Sequence, residues 1–233
     1  MQRIIGLIFG VTLIAACSEA ETESTSSAVE TAESTAVVNS VVEGAEEAVA
    51  AVAEVAQDAG AREGVWGDIV YGDPNAPIEI IEYASMTCPH CASFSSSIFP
   101  KVKEKYIDTG KVKFLFRNLV TNQVDLAAST VARCSNQEVA QKLTKEFFAK
   151  QNDWGRSQDP ISALAGIARK AGISRTQFDR CLANTEMHKN LVKIGQDGVK
   201  EFNVTATPTI IVNGSKLDNY AFETIEKAVD AAL

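Results

Sequence analysis

The chain has 233 residues, enough for one domain with a substantial core, and its 45 % apolar content is that of an ordinary globular protein. The formal charge of −8 arises in one stretch: Ser18–Gly64 carries eleven acidic residues against Arg62 alone, whereas Val65–Leu233 has 20 basic and 19 acidic side chains. No basic stripe with interleaved aromatics is present, which excludes a nucleic-acid partner, and the spaced Lys101, Lys103 and Lys105 read as a solvated helix face.

Met1–Cys17 reads as an export signal. Arg3 gives a positive start, Ile4–Ile14 is almost wholly apolar, and Ala15-Ala16 are small residues at a cleavage point. The apolar run is too short for a spanning helix. Ile14-Ala15-Ala16-Cys17 resembles the lipobox of bacterial lipoproteins, in which the cysteine becomes the lipidated first residue. Setting Cys17 apart from the five cysteines leaves four, an even number suited to an oxidising compartment. The alternative is ordinary secretion after Ala16. Ser18 after the cysteine resembles outer-membrane sorting of such lipoproteins. Residues 18–64 then form an acidic, low-complexity tether without aromatic residues, too poor in apolar surface to build a core. If flexible, its 47 residues reach roughly 35–40 Å.

In the domain expected over 65–233, Asp68–Tyr71 and the Ile-rich Pro77–Tyr83 read as strands joined by the turn Gly72-Asp73-Pro74-Asn75. A helix is expected from Pro89 to about Asp108, with Phe94, Ile98, Val102 and Tyr106 at helical spacing and a kink at Pro100. Val112–Leu119 alternates as a strand. From about residue 122 to 202 the chain reads as helices: Val124–Cys134, Val139–Ala149, Ile161–Ala171, Arg175–Leu182 and Met187–Glu201. Strands at Thr209–Val212 and Ser215–Leu217 flank the hairpin signal Asn213-Gly214, and Phe222–Ala232 is a last helix. The class is α/β with an inserted helical block.

Cys88-Pro89-His90-Cys91 stands where the Ile-rich strand gives way to a helix. Positions i and i+3 of a first turn share a face, which suits a redox disulfide, and the free N–H groups of the helix start stabilise a thiolate on Cys88. Cys88 is thus the candidate nucleophile and Cys91 the resolving thiol. Pro89 fits the first turn. His90 can place positive charge beside the sulfur, and whatever favours the thiolate makes the disulfide a stronger oxidant.

These residues, with Thr207-Pro208-Thr209 before the next-to-last strand and the helical block between them, resemble the DsbA-type thiol:disulfide oxidoreductases, particularly those of alphaproteobacteria. The resemblance covers nearly all of Trp66–Leu233. It implies a thioredoxin fold, a periplasmic location, and Pro208 as a cis-proline that presents the backbone of Thr207 to a substrate peptide. It also implies exported proteins with reduced cysteines as substrates and a membrane quinone-coupled reoxidase of the DsbB type. Glu82, six residues before Cys88, matches an acidic residue beneath the active site of that family. A carboxyl in an apolar strand should have a raised pKa and could exchange the proton of Cys91. The alternative is that Glu82 reaches solvent, as Glu79 does.

Cys134 and Cys181 are expected to form a structural disulfide within the helical block, the alternative being two free thiols. His188 reads as a surface residue. A zinc site is disfavoured because Cys134, Cys181 and the two histidines stand at no finger-like spacing, so neither metal nor cofactor is expected. A copper-binding thioredoxin-fold lipoprotein is a further alternative, but the spacing here is CxxC and the Met residues are scattered. Within the enzyme class, the featureless 18–64 favours a monomeric oxidase over a dimeric isomerase or a reductase, although Thr207 is also seen before the proline in isomerase-like members.

Overall fold

The computed structural model describes residues 64–233. The expected export signal, the lipobox cysteine Cys17 and the tether lie outside the described residues. Five strands form one sheet: β1 (Ile69–Tyr71), β2 (Ile78–Ala84), β3 (Val112–Asn118), β4 (Thr209–Val212) and β5 (Ser215–Lys216). Their spatial order is β1-β3-β2-β4-β5. β2 runs parallel to β3 and antiparallel to β4, with Glu82 opposite Phe116 on one side and Ile210 on the other. A central strand paired on both edges is covered on both faces, which accounts for the near-continuous apolar run of β2.

Side chains of β2 alternate between two cores. Ile78, Ile80 and Ala84 join Phe114, Phe116 and Phe94 in the larger one, while Ile81 and Tyr83 join Leu115, Val204 and Ile211 in the smaller. By this alternation Glu82 faces the larger core. The hairpin β4–β5 turns at Asn213 and Gly214, whose φ angles of 45° and 79° are those of a type I′ turn.

Nine helices complete the described residues: α1 (Pro89–Ser97), α2 (Phe99–Val102), α3 (Gln123–Ala132), α4 (Gln137–Ala149), α5 (Gln151–Gly155), α6 (Pro160–Lys170), α7 (Arg175–Leu182), α8 (Thr185–Phe202) and α9 (Phe222–Asp230). The single helix expected over Pro89–Asp108 is divided. α1 ends at Ile98, α2 starts again with Pro100 in its first turn, and a π-helical turn over Lys103–Ile107 follows. Proline lacks the N–H that would bond one turn back, so the break falls just before Pro100. α5 has no counterpart in the expected elements.

The inserted block is specified locally by its caps. Asn122, Asn136, Asp159, Ser174 and Asn184 each accept a backbone N–H three residues on, at the starts of α3, α4, α6, α7 and α8. Each such cap stabilises its helix by about 1 kcal/mol. Cys134, just past α3, is bonded to Cys181 of α7, with 5.8 Å between their Cα atoms. Arg133 beside it is fully buried. It donates to Asn118 Oδ1 and to the carbonyls of Val65, Gly67 and Phe116, tying the start of the domain to β3. No described helix is long and apolar enough to cross a membrane.

Candidate active site

β2 delivers the chain to a short loop, Ser85–Thr87, and then to Cys88, the N-cap of α1. Cys88 makes no side-chain cap, unlike the five caps of the inserted block, so its sulfur is left for chemistry while the free N–H groups of the first turn remain beside it. Three residues of the inserted block hold the loop, the first being Asn122, which donates through Nδ2 to Thr87 Oγ1. Asp125 of α3, fully buried, accepts from Ser85 Oγ at 2.6 Å and from the Met86 N–H at 2.8 Å, besides both donors of Thr121. Gln151 of α5 donates through Nε2 to the carbonyls of Met86 and Cys88, at 2.8 and 2.9 Å.

The two cysteines differ in exposure as first and last members of a helical turn should. Cys88 is partly exposed and Cys91 is buried; both are free thiols here. Cys88 Sγ lies 3.3 Å from the carbonyl oxygen of Thr207, and the Thr207-Pro208 peptide bond is cis. Residues 119 positions apart thus meet at the reacting sulfur. His90 is exposed, and its Nδ1 lies 3.1 Å from the Tyr220 hydroxyl. Tyr220 in turn packs edge-on against Phe94 of α1.

Beneath this surface Glu82 is 3 % exposed, so it does not reach solvent as Glu79 does, which pairs with Lys113 at 3.2 Å. Burial pushes the Glu82 carboxyl up to about 8, and negative charge at Cys88 adds to the shift. Burial also pushes the Cys91 thiol far up, and Glu82 pushes it further. Glu82 Oε1 has no hydrogen-bond partner among the described residues. Cys88, Pro89, His90, Cys91, Glu82, Thr207 and Pro208 therefore come together. Cys134 and Cys181 lie elsewhere, in the inserted block.

Asp125, Gln151 and Tyr220 were not singled out from sequence. Asp125 carried a weak signal, as the acidic residue three after the cap Asn122; Gln151 and Tyr220 carried none.

The model of the thioredoxin family matches residues 65–231. A putative protein-disulfide oxidoreductase of Rickettsia bellii is 34 % identical over 167 residues, covering 71 % of this chain and 64 % of that protein, so the chain spans under two thirds of that relative. Disulfide bond formation protein D of Bacillus subtilis is 30 % identical over 173 residues, covering 69 % of this chain and 77 % of that protein. The crystal structure of alpha-DsbA1 from Wolbachia pipientis superposes with a TM-score of 0.67 at 29 % identity, covering 73 % of this chain and 93 % of that one. With a thioredoxin sheet, a Cys-Pro-His-Cys turn on α1 and a helical insertion, the chain belongs to the thioredoxin family, among the DsbA-type disulfide oxidoreductases.

Proposed function

We infer that this protein is a thiol:disulfide oxidoreductase that introduces disulfides into exported proteins through Cys88 and Cys91. The observation that carries the reading is the partly exposed Cys88 sulfur, 3.3 Å from the Thr207 carbonyl, above a buried Cys91. A substrate thiolate attacks Cys88 Sγ of the Cys88–Cys91 disulfide. A new S–S bond forms, the Cys88–Cys91 bond breaks, and Cys91 leaves with the electron pair. An environment that disfavours a Cys91 thiolate demands a proton at once, and Glu82, ionising near pH 8, is placed to give it. The backbone of Thr207 and Pro208 holds the substrate segment beside the mixed disulfide. A second substrate thiolate then attacks the substrate's own sulfur. Cys88 leaves as a thiolate, stabilised by the start of α1 and by His90, and the substrate has lost two electrons to the enzyme. Pro89 opens the helix without forfeiting a bond.

Regeneration requires a partner that takes those electrons, for which a membrane quinone-coupled protein of the DsbB type is the reading. Disulfides form and persist chiefly in oxidising compartments outside the cytoplasm, which agrees with an export signal at Met1–Cys17. Lipid on Cys17 and a tether over 18–64 would hold a monomeric domain near a membrane facing the periplasm, the outer membrane by the Ser18 signal. The Cys134–Cys181 bond is assigned a structural role. The name of the Bacillus relative, disulfide bond formation protein D, supports disulfide formation over isomerisation.

The test is oxidation of a reduced, unfolded, cysteine-containing protein by the oxidised enzyme. The expected result is one substrate disulfide per enzyme disulfide consumed, abolished by Cys88→Ser; Cys91→Ser whose Cys88 has first been activated as its mixed disulfide with thionitrobenzoate should lose thionitrobenzoate to a single-cysteine substrate and stay joined to it as a stable adduct. Exchange that persists in Cys88→Ser would overturn the assignment.

A further inference from the structure

Behind the active-site helix lies a cavity of about 440 Å³, bounded by β1, β2 and β3 on one side and by α1, α2 and α4 on the other. Its size is that of a small-molecule site. Phe99, Phe114, Phe116 and Phe148 supply apolar walls. Glu82 lines it with a buried carboxyl, one of whose oxygens is unpartnered. Such an oxygen is costly to bury without a donor, as is the Thr144 hydroxyl on the same lining, so an occupant that hydrogen-bonds at the inner end is favoured. At the solvent side stand the exposed Lys142 and Lys145 beside Glu138 and Glu146, the latter ion-paired with Lys150, while Lys103 is paired with Asp108.

Three features define the occupant. The inner group donates a hydrogen bond to Glu82, which offers an acceptor oxygen whether or not it is protonated. The body is apolar, and an aromatic ring suits a lining that contains four phenylalanines. The outer group is an anion facing the lysines. An alkylammonium would have to carry its charge past those lysines into apolar walls, and a simple fatty acid would leave Glu82 unpaired.

We propose that this cavity binds a small phenolic carboxylate, with its hydroxyl on Glu82 and its carboxylate at Lys142 and Lys145. The cavity shares Glu82 with the active site but opens away from the Cys88–Thr207 surface, and binding there does not depend on the direction in which that surface transfers electrons.

The experiment is calorimetric titration of the purified full chain with 3-(4-hydroxyphenyl)propionate. A molecule of about twelve heavy atoms should bind one to one with a Kd of about 0.1–1 mM. 3-Phenylpropionate, lacking the hydroxyl, should bind about tenfold more weakly. Ser95→Phe, which places a ring in the cavity from the wall of α1, should abolish binding; the exposed double change Lys142→Glu/Lys145→Glu should weaken it about three- to tenfold, more at low salt. An unfolding curve for each variant separates loss of site from loss of fold. No saturable heat up to about 10 mM, where a molecule of this size that fitted would already be bound, equal affinity of the two probes, or binding undiminished in a folded Ser95→Phe would each overturn the proposal. The first of these would leave water as the occupant.

Discussion

At Glu82 burial and nearby charge act in the same direction, and both are readable in stability. The folded protein keeps a proton on this carboxyl up to about pH 8, whereas the unfolded chain releases it near 4.5. Between those values the folded state binds more protons than the unfolded one, so stability must fall as pH rises, by up to about 1.4 kcal/mol per pH unit. Glu82→Gln cannot ionise and removes that slope. Urea unfolding of the dithiol protein should show the variant level with the wild type at pH 4 and progressively more stable toward pH 8. A difference that stays constant over that range would mean that Glu82 is not held protonated. The same substitution should slow the first exchange step, because it removes the proton that Glu82 supplies to the departing Cys91; rapid-quench alkylation measures that step. The carboxyl's position beneath the active site was legible through the family resemblance, which implies an acidic residue six before Cys88. Its burial was not, because alternation along β2 leaves open which face meets the larger core until α1 and β3 are in place.

Among the elements, α8 shows how close packing can hide in an unpromising sequence. Gly195 and Gly198 weaken a helix by propensity, yet a Cβ on Gly198 would lie 2.4 Å from the Tyr83 ring, and one on Gly195 3.1 Å from Leu119. The two glycines let α8 lie against the smaller core. Gly198→Ala should therefore destabilise by about 1–3 kcal/mol despite the gain in helix propensity, measured by denaturant midpoint. α5 illustrates the reverse case. A helix of five residues has too little periodicity to be seen, but it carries Gln151, whose two hydrogen bonds fix the loop before Cys88. Gln151→Ala should lower stability by about 1–2 kcal/mol. Elements with their own caps or alternation, such as α7 and β4, stand where the sequence placed them. Contacts that bring Asp125, Gln151 and Tyr220 to the active site span 39 to 130 residues, and no local pattern records them.

For the whole molecule, the inserted block does more than decorate the sheet. It carries Asn122, Asp125 and Gln151, which hold the Ser85–Thr87 loop, and the Cys134–Cys181 bond closes a loop of 47 residues within it. By loop entropy that bond stabilises the fold by about 4 kcal/mol, so Cys134→Ala/Cys181→Ala should lower the unfolding free energy by about 2–5 kcal/mol while Cys88 and Cys91 still exchange. A variant with wild-type stability would show that the block holds itself without the bond. The account as a whole rests on Cys88 and Cys91 forming an oxidising couple. The direct measurement is the redox equilibrium of the purified protein against glutathione, with the state of each cysteine read by alkylation and mass. The account predicts that the Cys88–Cys91 pair is reduced by glutathione at a potential well above the cytosolic glutathione poise of roughly −240 mV, with Cys134–Cys181 remaining bonded. A Cys88–Cys91 disulfide more reducing than that poise would contradict it, and would make the protein a reductase dependent on a supply of electrons.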